Sequence, residues 1–206
     1  EDALRILRAI RFASVYGFQI EEKTKNAIFN QKHLLKNISA ERIATELLKT
    51  LSGNFVLETL SQYYPALGEV IPELLPMAGF DQHTKYHLYD VLTHTLVATK
   101  WIENKPYLKL AAFLHDMGKP GTFSREKNGT GHFYGHEKES VHIAKQIMER
   151  LKLDNLTKNR VSTLIEYHDS KIAPTEKSVK KWLNKLDPDT FFDLLALQKA
   201  DALAHH

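Results

Sequence analysis

Histidines and aspartates in the second half of the chain have the types and order expected of a metal site. The stretch "AAFLHDMGKPGTF" ends an apolar run in the adjacent pair His115 and Asp116. Such distant residues cannot form a local chelate, but side chains from several helices can converge inside a bundle. Imidazoles and carboxylates together suit a borderline divalent ion such as iron, manganese, nickel, cobalt or zinc. The ordered series of candidate ligands is His94, His115, Asp116, His136, His168 and Asp201.

One chemistry that such a site supports is hydrolysis by metal-activated water, for example of a phosphate ester. A bound divalent ion lowers the pKa of its water towards neutrality and offsets charge on the phosphoryl oxygens. Lys119 lies one turn past Asp116, where it can pair with a phosphate oxygen, although a solvated loop lysine is an equally good interpretation. His136 or His168 can protonate the leaving oxygen if it is not a metal ligand. The catalytic candidates are therefore Asp116, Lys119, His136 and His168.

A second group of candidates lies at the start of the chain, in "EDALRILRAIRFASVYGF". Asp2 and Arg5 are one turn apart on a predicted helix, so a carboxylate and a guanidinium can together read the edge of a nucleobase. Arg5, Arg8 and Arg11 recur every three residues and can contact phosphates. The simpler interpretation is a helix start favoured by acidic residues, with the arginines as a solvated stripe. From the residues alone we favour the simpler interpretation.

The elements that must position these residues are helices. Apolar residues such as Leu4, Leu7 and Ile10 recur at three-residue steps, and no convincing alternating strand is present. The stretch "IPELLPMAGF" resembles a joint between two units, and ten of the eleven histidines follow it. We therefore predict an all-α fold, with a small helical module at 1–75 and a larger helical bundle at 76–206.

Composition excludes several classes of protein. The chain has 206 residues, 43% of them hydrophobic, and no cysteine, which rules out disulfides and zinc–thiolate sites. No apolar run reaches the ~18 residues of a membrane span, and the start lacks the order of a signal peptide, so we expect a cytoplasmic protein without a membrane partner. The net charge of +3 permits a nucleic-acid partner without requiring one.

On these motifs the chain resembles bacterial CCA-adding tRNA nucleotidyltransferases and their poly(A) polymerase relatives. "EDALRILRAIRFASVYGF" is similar to their base-selecting EDxxR segment, and "SAERIATELLKTL" is similar to the helix-stabilising segment that follows it. "GFDQHTKYHLYDVLTHTL" resembles the start of the HD domain that many bacterial members carry downstream. The resemblance implies that Asp2 and Arg5 face the incoming CTP or ATP, with Arg8 as a further nucleotide-binding candidate.

From about residue 80 the chain resembles the HD superfamily of metal-dependent phosphohydrolases. That family's pattern is a histidine, then His-Asp, then a distant aspartate, all on helices. The resemblance implies His94, His115, Asp116 and Asp201 as core metal ligands, with His136 and His168 in the places of second-metal ligands. The number of ions and their identity (Mg, Mn, Ni, Co, Fe or Zn) stay open. His83 and His87 precede the first ligand and are expected at the mouth of the pocket.

The resulting interpretation is a fragment of a longer tRNA nucleotidyltransferase. The Gly-Ser motif and aspartate pair of the family's catalytic head have no match here, so we expect the head to precede Glu1. The HD domain is expected to hydrolyse 2′,3′-cyclic phosphodiesters or phosphomonoesters, and the parent enzyme to act on the tRNA or RNA 3′ end with CTP or ATP. Two alternatives stay open: a catalytically idle HD scaffold that binds tRNA or dimerises, with "SVKKWLNK" as a basic contact, and a stand-alone nucleotide phosphohydrolase.

Overall fold

The chain folds into packed α-helices, as the sequence predicts. The computed structural model describes residues 2–82, 88–125 and 131–205. Within these ranges the helices are α1 (Leu4–Tyr16), α2 (Glu22–Gln31), α3 (Ala40–Leu51), α4 (Val56–Leu67), α5 (Val91–Trp101), α6 (Pro106–Leu114), α7 (Lys119–Thr122), α8 (His136–Arg150), α9 (Asn155–Tyr167), α10 (Glu176–Lys185) and α11 (Pro188–Leu203). Short 3-10 helices cover Lys32–Asn37 and Pro72–Met77.

One small departure from the all-α prediction lies beside the candidate site. Strands β1 (Ser124–Arg125) and β2 (Gly131–His132) form a two-stranded antiparallel ribbon, with Ser124 opposite His132. Two residues per strand are too few for an alternating apolar pattern, so periodicity cannot reveal such a ribbon. Its effect is to bring the chain that precedes α8 to the edge of the helical bundle.

Aspartate side chains cap the N-termini of two site-bearing helices, α5 and α11. Asp90 accepts a hydrogen bond from the backbone N–H of Thr93 at the start of α5, at 2.7 Å. Asp187 accepts from the N–H of Thr190 at 3.0 Å and so caps α11. An N-cap satisfies backbone donors that have no partner within the helix. The caps therefore set the first turn of the two helices that carry His94 and Asp201.

A continuous hydrophobic core crosses the predicted boundary between the two units. α1 packs on α3 and α4, while α3 contacts α6 and α4 contacts α5. Leu60 on α4, Leu74 in the 3-10 helix and Phe113 on α6 are fully buried members of the same cluster. The division at residue 75 stays a prediction, because apolar contacts join the elements on either side of it.

Five helices pack against one another around the candidate metal site. α5 lies against α6 and α11, and α9 lies against α6, α8 and α11. These helices carry or immediately precede the candidate ligands, so distant parts of the chain meet at one place. No helix in the described ranges combines the length and the apolar character that crossing a membrane demands.

Candidate metal centre

The six candidate metal ligands come together in two groups that share one aspartate. In each group the ligand atoms lie within 4.8 Å of one another. His94 Nε2 is 2.8 Å from Asp201 Oδ1, and His115 Nε2 is 3.2 Å from Asp116 Oδ2. The first group is His94, His115, Asp116 and Asp201, and the second is Asp116, His136 and His168.

Asp116 presents a different oxygen to each group. Its Oδ2 lies 3.4 Å from His94 Nε2, on the side of the first group. Its Oδ1 lies 3.5 Å from His136 Nε2 and 3.7 Å from His168 Nε2. Asp116 therefore offers one carboxylate oxygen to each group of candidate ligands.

Main-chain carbonyls fix the orientation of the histidine rings. Each of the four rings has its Nδ1 within hydrogen-bond distance of a carbonyl oxygen. Because a carbonyl oxygen can only accept, Nδ1 is the donor, and Nε2 therefore faces the centre of the site. This is the usual way in which a protein orients a metal-binding imidazole. The pairs are His94 with Ala204 (3.2 Å), His115 with Ala112 (2.7 Å), His136 with Phe133 (2.9 Å) and His168 with Ile165 (2.7 Å).

Several buried polar atoms of the site lack a well-aligned hydrogen bond. His115 and Asp116 are at most 1% exposed. Among the described residues, none makes a well-aligned hydrogen bond to His115 Nε2 or to either oxygen of Asp116. Leaving such groups unsatisfied is costly, and buried charges are normally paired or bound to a metal. The nitrogen and oxygen donors therefore fit a divalent cation.

The electrostatics of the site show that it favours positive charge. Burial lowers the pKa of His115, but the carboxylates of Asp116 and Asp201 outweigh burial and raise that pKa to about 10. Burial acts to raise the pKa of Asp116, yet His115 and Lys119 hold it well below its usual value. The pKa of Asp201 is likewise held well below its usual value, against burial, by His115 and His94. Two ionised carboxylates thus share the site, and a divalent ion bound there would take the place of the proton on His115.

Lys119 is part of this site and is not a solvated loop residue. It is buried at the start of α7, and its Nζ lies 2.6 Å from Asp116 Oδ2. Nζ also donates a hydrogen bond to Gln82 Oε1 at 3.0 Å and lies 5.6 Å from the centre of the Phe133 ring. The solvated interpretation of Lys119 is therefore wrong. Gln82, itself buried, had no sequence signal because its contact depends on the path of a loop.

An open cavity of about 450 Å³ adjoins the two groups. Asp116, Lys119 and Asp201 lie in its wall, together with residues that the sequence did not single out. One of these is His205, whose Nε2 is 3.7 Å from Asp201 Oδ1. Its spacing of four residues from Asp201 was the available signal, although His205 lies past the end of α11 at Leu203. His83 and His87, expected at the pocket mouth, lie outside the described residues.

The N-terminal candidates form a separate surface, and none of the described residues in the cavity wall comes from α1. Asp2 accepts a hydrogen bond from the N–H of Leu4 at 3.0 Å and pairs with Arg42 of α3, and both interactions lower the pKa of its carboxyl. Arg5 and Arg8 are exposed. Their predicted contact with a nucleotide stays a prediction.

The predicted arginine stripe is wrong at its third member. The Arg11 guanidinium lies 3.1 Å from both carboxylate oxygens of Glu46, a buried residue of α3. It also lies over the Phe12 ring, 4.3 Å from the ring centre. Arg11 therefore joins α1 to α3, because the packing of those helices brings a buried carboxylate to its position.

Comparison with known proteins matches two parts of the chain to described families. Residues 84–204 match the family described as "HD domain". Residues 17–63 match the family described as "Probable RNA and SrmB- binding site of polymerase A".

Individual relatives match almost the whole chain. A multifunctional CCA protein of Pasteurella multocida is 33% identical over 98% of this chain and 53% of its own length. An A-adding tRNA nucleotidyltransferase of Deinococcus radiodurans is 29% identical over 97% of this chain and 49% of its own. A CC-adding tRNA nucleotidyltransferase of Thermus thermophilus is 31% identical over 99% of this chain and 50% of its own length. The chain thus spans about half the length of the curated relatives it matches.

Proposed function

Because this chain belongs to the HD-domain family, as its sequence predicted, we propose that it is a metal-dependent phosphohydrolase. Its substrates are 2′,3′-cyclic phosphodiesters or phosphomonoesters on nucleotides or RNA ends. The observation that carries this proposal is the convergence of buried histidine and carboxylate atoms around Asp116. Those atoms adjoin a cavity that also contains a buried lysine, which is a suitable partner for a phosphate.

We assign the metal ligands as follows. His94, His115, Asp116 and Asp201 hold one divalent ion, and His136 and His168 complete a second position with Asp116. When bound, such an ion supplies hydroxide at neutral pH and offsets phosphoryl charge. The ion is one of Mg, Mn, Ni, Co, Fe or Zn, since histidine and carboxylate ligands bind several of them.

The other roles belong to side chains at the cavity wall. Lys119 Nζ donates to a phosphoryl oxygen and offsets its growing charge. Burial lowers the pKa of His136 against the opposing effect of the Asp116 carboxylate. Either His136 or His168 protonates the leaving oxygen when it is not a ligand.

We also propose that the chain works within a tRNA nucleotidyltransferase that acts on the tRNA 3′ end in the cytoplasm. The names of the relatives and the match of residues 17–63 support this part of the proposal. Asp2 and Arg5, with Arg8, then contact CTP or ATP in the complete enzyme. The ion pair between Asp2 and Arg42 would hold the Asp2 carboxylate in a fixed direction for that contact.

The hydrolase proposal is tested by turnover with defined metals. The chain is assayed on 2′,3′-cyclic AMP and on a phosphomonoester with each of the six ions in turn. We expect turnover with at least one ion, a loss of at least about 100-fold in Asp116→Asn, and full activity in His142→Ala. His142 is a matched control because it is an exposed histidine of α8 that contacts Gln146. Metal binding without turnover by any ion would contradict the proposal.

The idle-scaffold alternative has one observation in its favour. Lys177, Lys180 and Lys181 are exposed on α10, a helix that buries no residue completely. Such lysines can contact an RNA backbone, and they can equally be a solvated face. RNA affinity that falls steeply with salt and survives His115→Ala would favour the scaffold. In the stand-alone phosphohydrolase alternative, α1 to α4 would only support the core of the bundle.

A further inference from the structure

An exposed aromatic ring stands at the mouth of the metal-site cavity. Tyr134 follows β2 and precedes α8, and it lies in the same cavity wall as Asp116 and Lys119. Its side chain is 75% exposed, which is high for a large ring in a pocket wall. The ring lies almost parallel to that of His132, with 5.1 Å between the centres and 4° between the planes. His132 thus stiffens Tyr134 while most of the tyrosine ring stays open to solvent.

The composition of the cavity wall differs between its inner end and its rim. Asp116 and Lys119 at the inner end are buried, and they provide the metal-site and phosphate-binding groups. Tyr134 at the rim offers a flat apolar face, and Glu137 and Asp169 lie in the same wall. Carboxylates accept hydrogen bonds from the amino groups of adenine and cytosine. A volume of about 450 Å³ is within the range of small-molecule sites.

We propose that Tyr134, backed by His132, is a stacking platform for the base of a nucleotide whose phosphate reaches Asp116 and Lys119. This inference rests on the proposed phosphohydrolase function and narrows its substrate to a nucleotide or the terminal nucleotide of an RNA. A base-free sugar phosphate lacks the group that Tyr134 contacts. Since every base has a stacking face, the platform selects for a base without selecting strongly among the four.

The test measures binding, because binding does not depend on turnover. Calorimetry compares adenosine 5′-monophosphate with ribose 5-phosphate, which has the same sugar and phosphate but no base, with and without Mn²⁺. We expect the nucleotide to bind about tenfold more tightly to the unmodified protein. Tyr134→Ala should remove that preference and Tyr134→Phe, which keeps a ring, should retain it. Trp101→Ala is the control, because Trp101 is also an exposed ring but is not in the cavity wall.

The outcomes separate this inference from the proposed function. Three results would overturn the stacking role. The preference for the nucleotide could survive Tyr134→Ala, the substitution could weaken both ligands equally, or neither ligand could bind measurably. Nucleotide binding through Tyr134 without hydrolysis by any metal would contradict the phosphohydrolase proposal and leave the platform standing. Equal hydrolysis of nucleotides and base-free esters would support the phosphohydrolase and overturn the platform.

Discussion

At the scale of single residues, the candidate site depends on Asp116. This carboxylate is buried, belongs to both groups of ligands and has one oxygen on the side of each. Its position next to His115 in the sequence does not by itself indicate such a role, since adjacent histidine and aspartate are common at helix ends. The role emerges only when three other helices bring their histidines to it.

The two groups predict a stepwise change in metal content. We expect the protein to hold two ions, and His136→Ala to hold one, because the first group keeps all four of its ligands. Metal analysis of the dialysed proteins measures the ratio of ion to chain. An unmodified protein that holds a single ion, unchanged by His136→Ala, would show that the second group is not a metal position.

At the scale of elements, α11 holds the site together. It carries Asp201 and, one turn earlier, Gln198, whose Nε2 donates to the carbonyls of His168 at 2.9 Å and Ser170 at 2.8 Å. These carbonyls lie just past the end of α9, where helices have backbone acceptors without partners. One helix thus provides a ligand and fixes the end of another ligand-bearing helix.

We expect Gln198→Leu to loosen the end of α9 with little effect on the core, because the change keeps an apolar side chain and removes the carboxamide that makes these hydrogen bonds. Amide hydrogen exchange in the segment from Tyr167 to Ser170 should become faster, while exchange in α6 stays slow. Unchanged protection around His168 would show that the end of α9 does not need these hydrogen bonds.

The cap of α11 predicts a pH-dependent stability. Thr190 donates to the Asp187 carboxylate from its hydroxyl and its backbone N–H, and these bonds lower the pKa of Asp187 from 3.8. A pKa that is lower in the folded state gives stability that is present above pH ~3.8 and lost as the pH falls through the folded-state pKa. Asp187→Asn should therefore lower Tm at pH 7, and the difference should shrink towards pH 3.5. Thermal unfolding followed by circular dichroism at both pH values measures it, and a gap independent of pH would contradict the charge effect.

At the scale of the whole molecule, the sequence predicts the helices and the order of the ligands better than it predicts their partners. Helical periodicity is local, so α5, α6 and α11 could be recognised with their ligands in place. The contacts of Lys119 with Gln82 and of Arg11 with Glu46 join segments that are 37 and 35 residues apart. Such pairs depend on how helices and loops pack, and a single sequence does not contain that information. For the same reason the sequence did not indicate a role for Tyr134, since that role depends on the cavity beside it.

Because the hydrophobic core is shared, we expect the two predicted units at 1–75 and 76–206 to unfold together. Leu74 is fully buried at the joint between them, and its truncation removes contacts on both sides. We expect Leu74→Ala to lower the free energy of unfolding by about 2–5 kcal/mol in one cooperative transition. Circular dichroism and tryptophan fluorescence should report the same midpoint. Two separate transitions, with only one shifted by the substitution, would show that the units are independent.

The closeness of Lys119 and the raised pKa of His115 have a consequence for handling the protein. Lys119 Nζ lies 2.6 Å from Asp116 Oδ2 and, with a protonated His115, would offset the charge of that carboxylate when a chelator removes the metal. A classical zinc finger has no such substitute and collapses when its metal is removed. This protein should instead stay folded after its metal is removed and bind a different ion afterwards. One metal could then be exchanged for another in a single preparation.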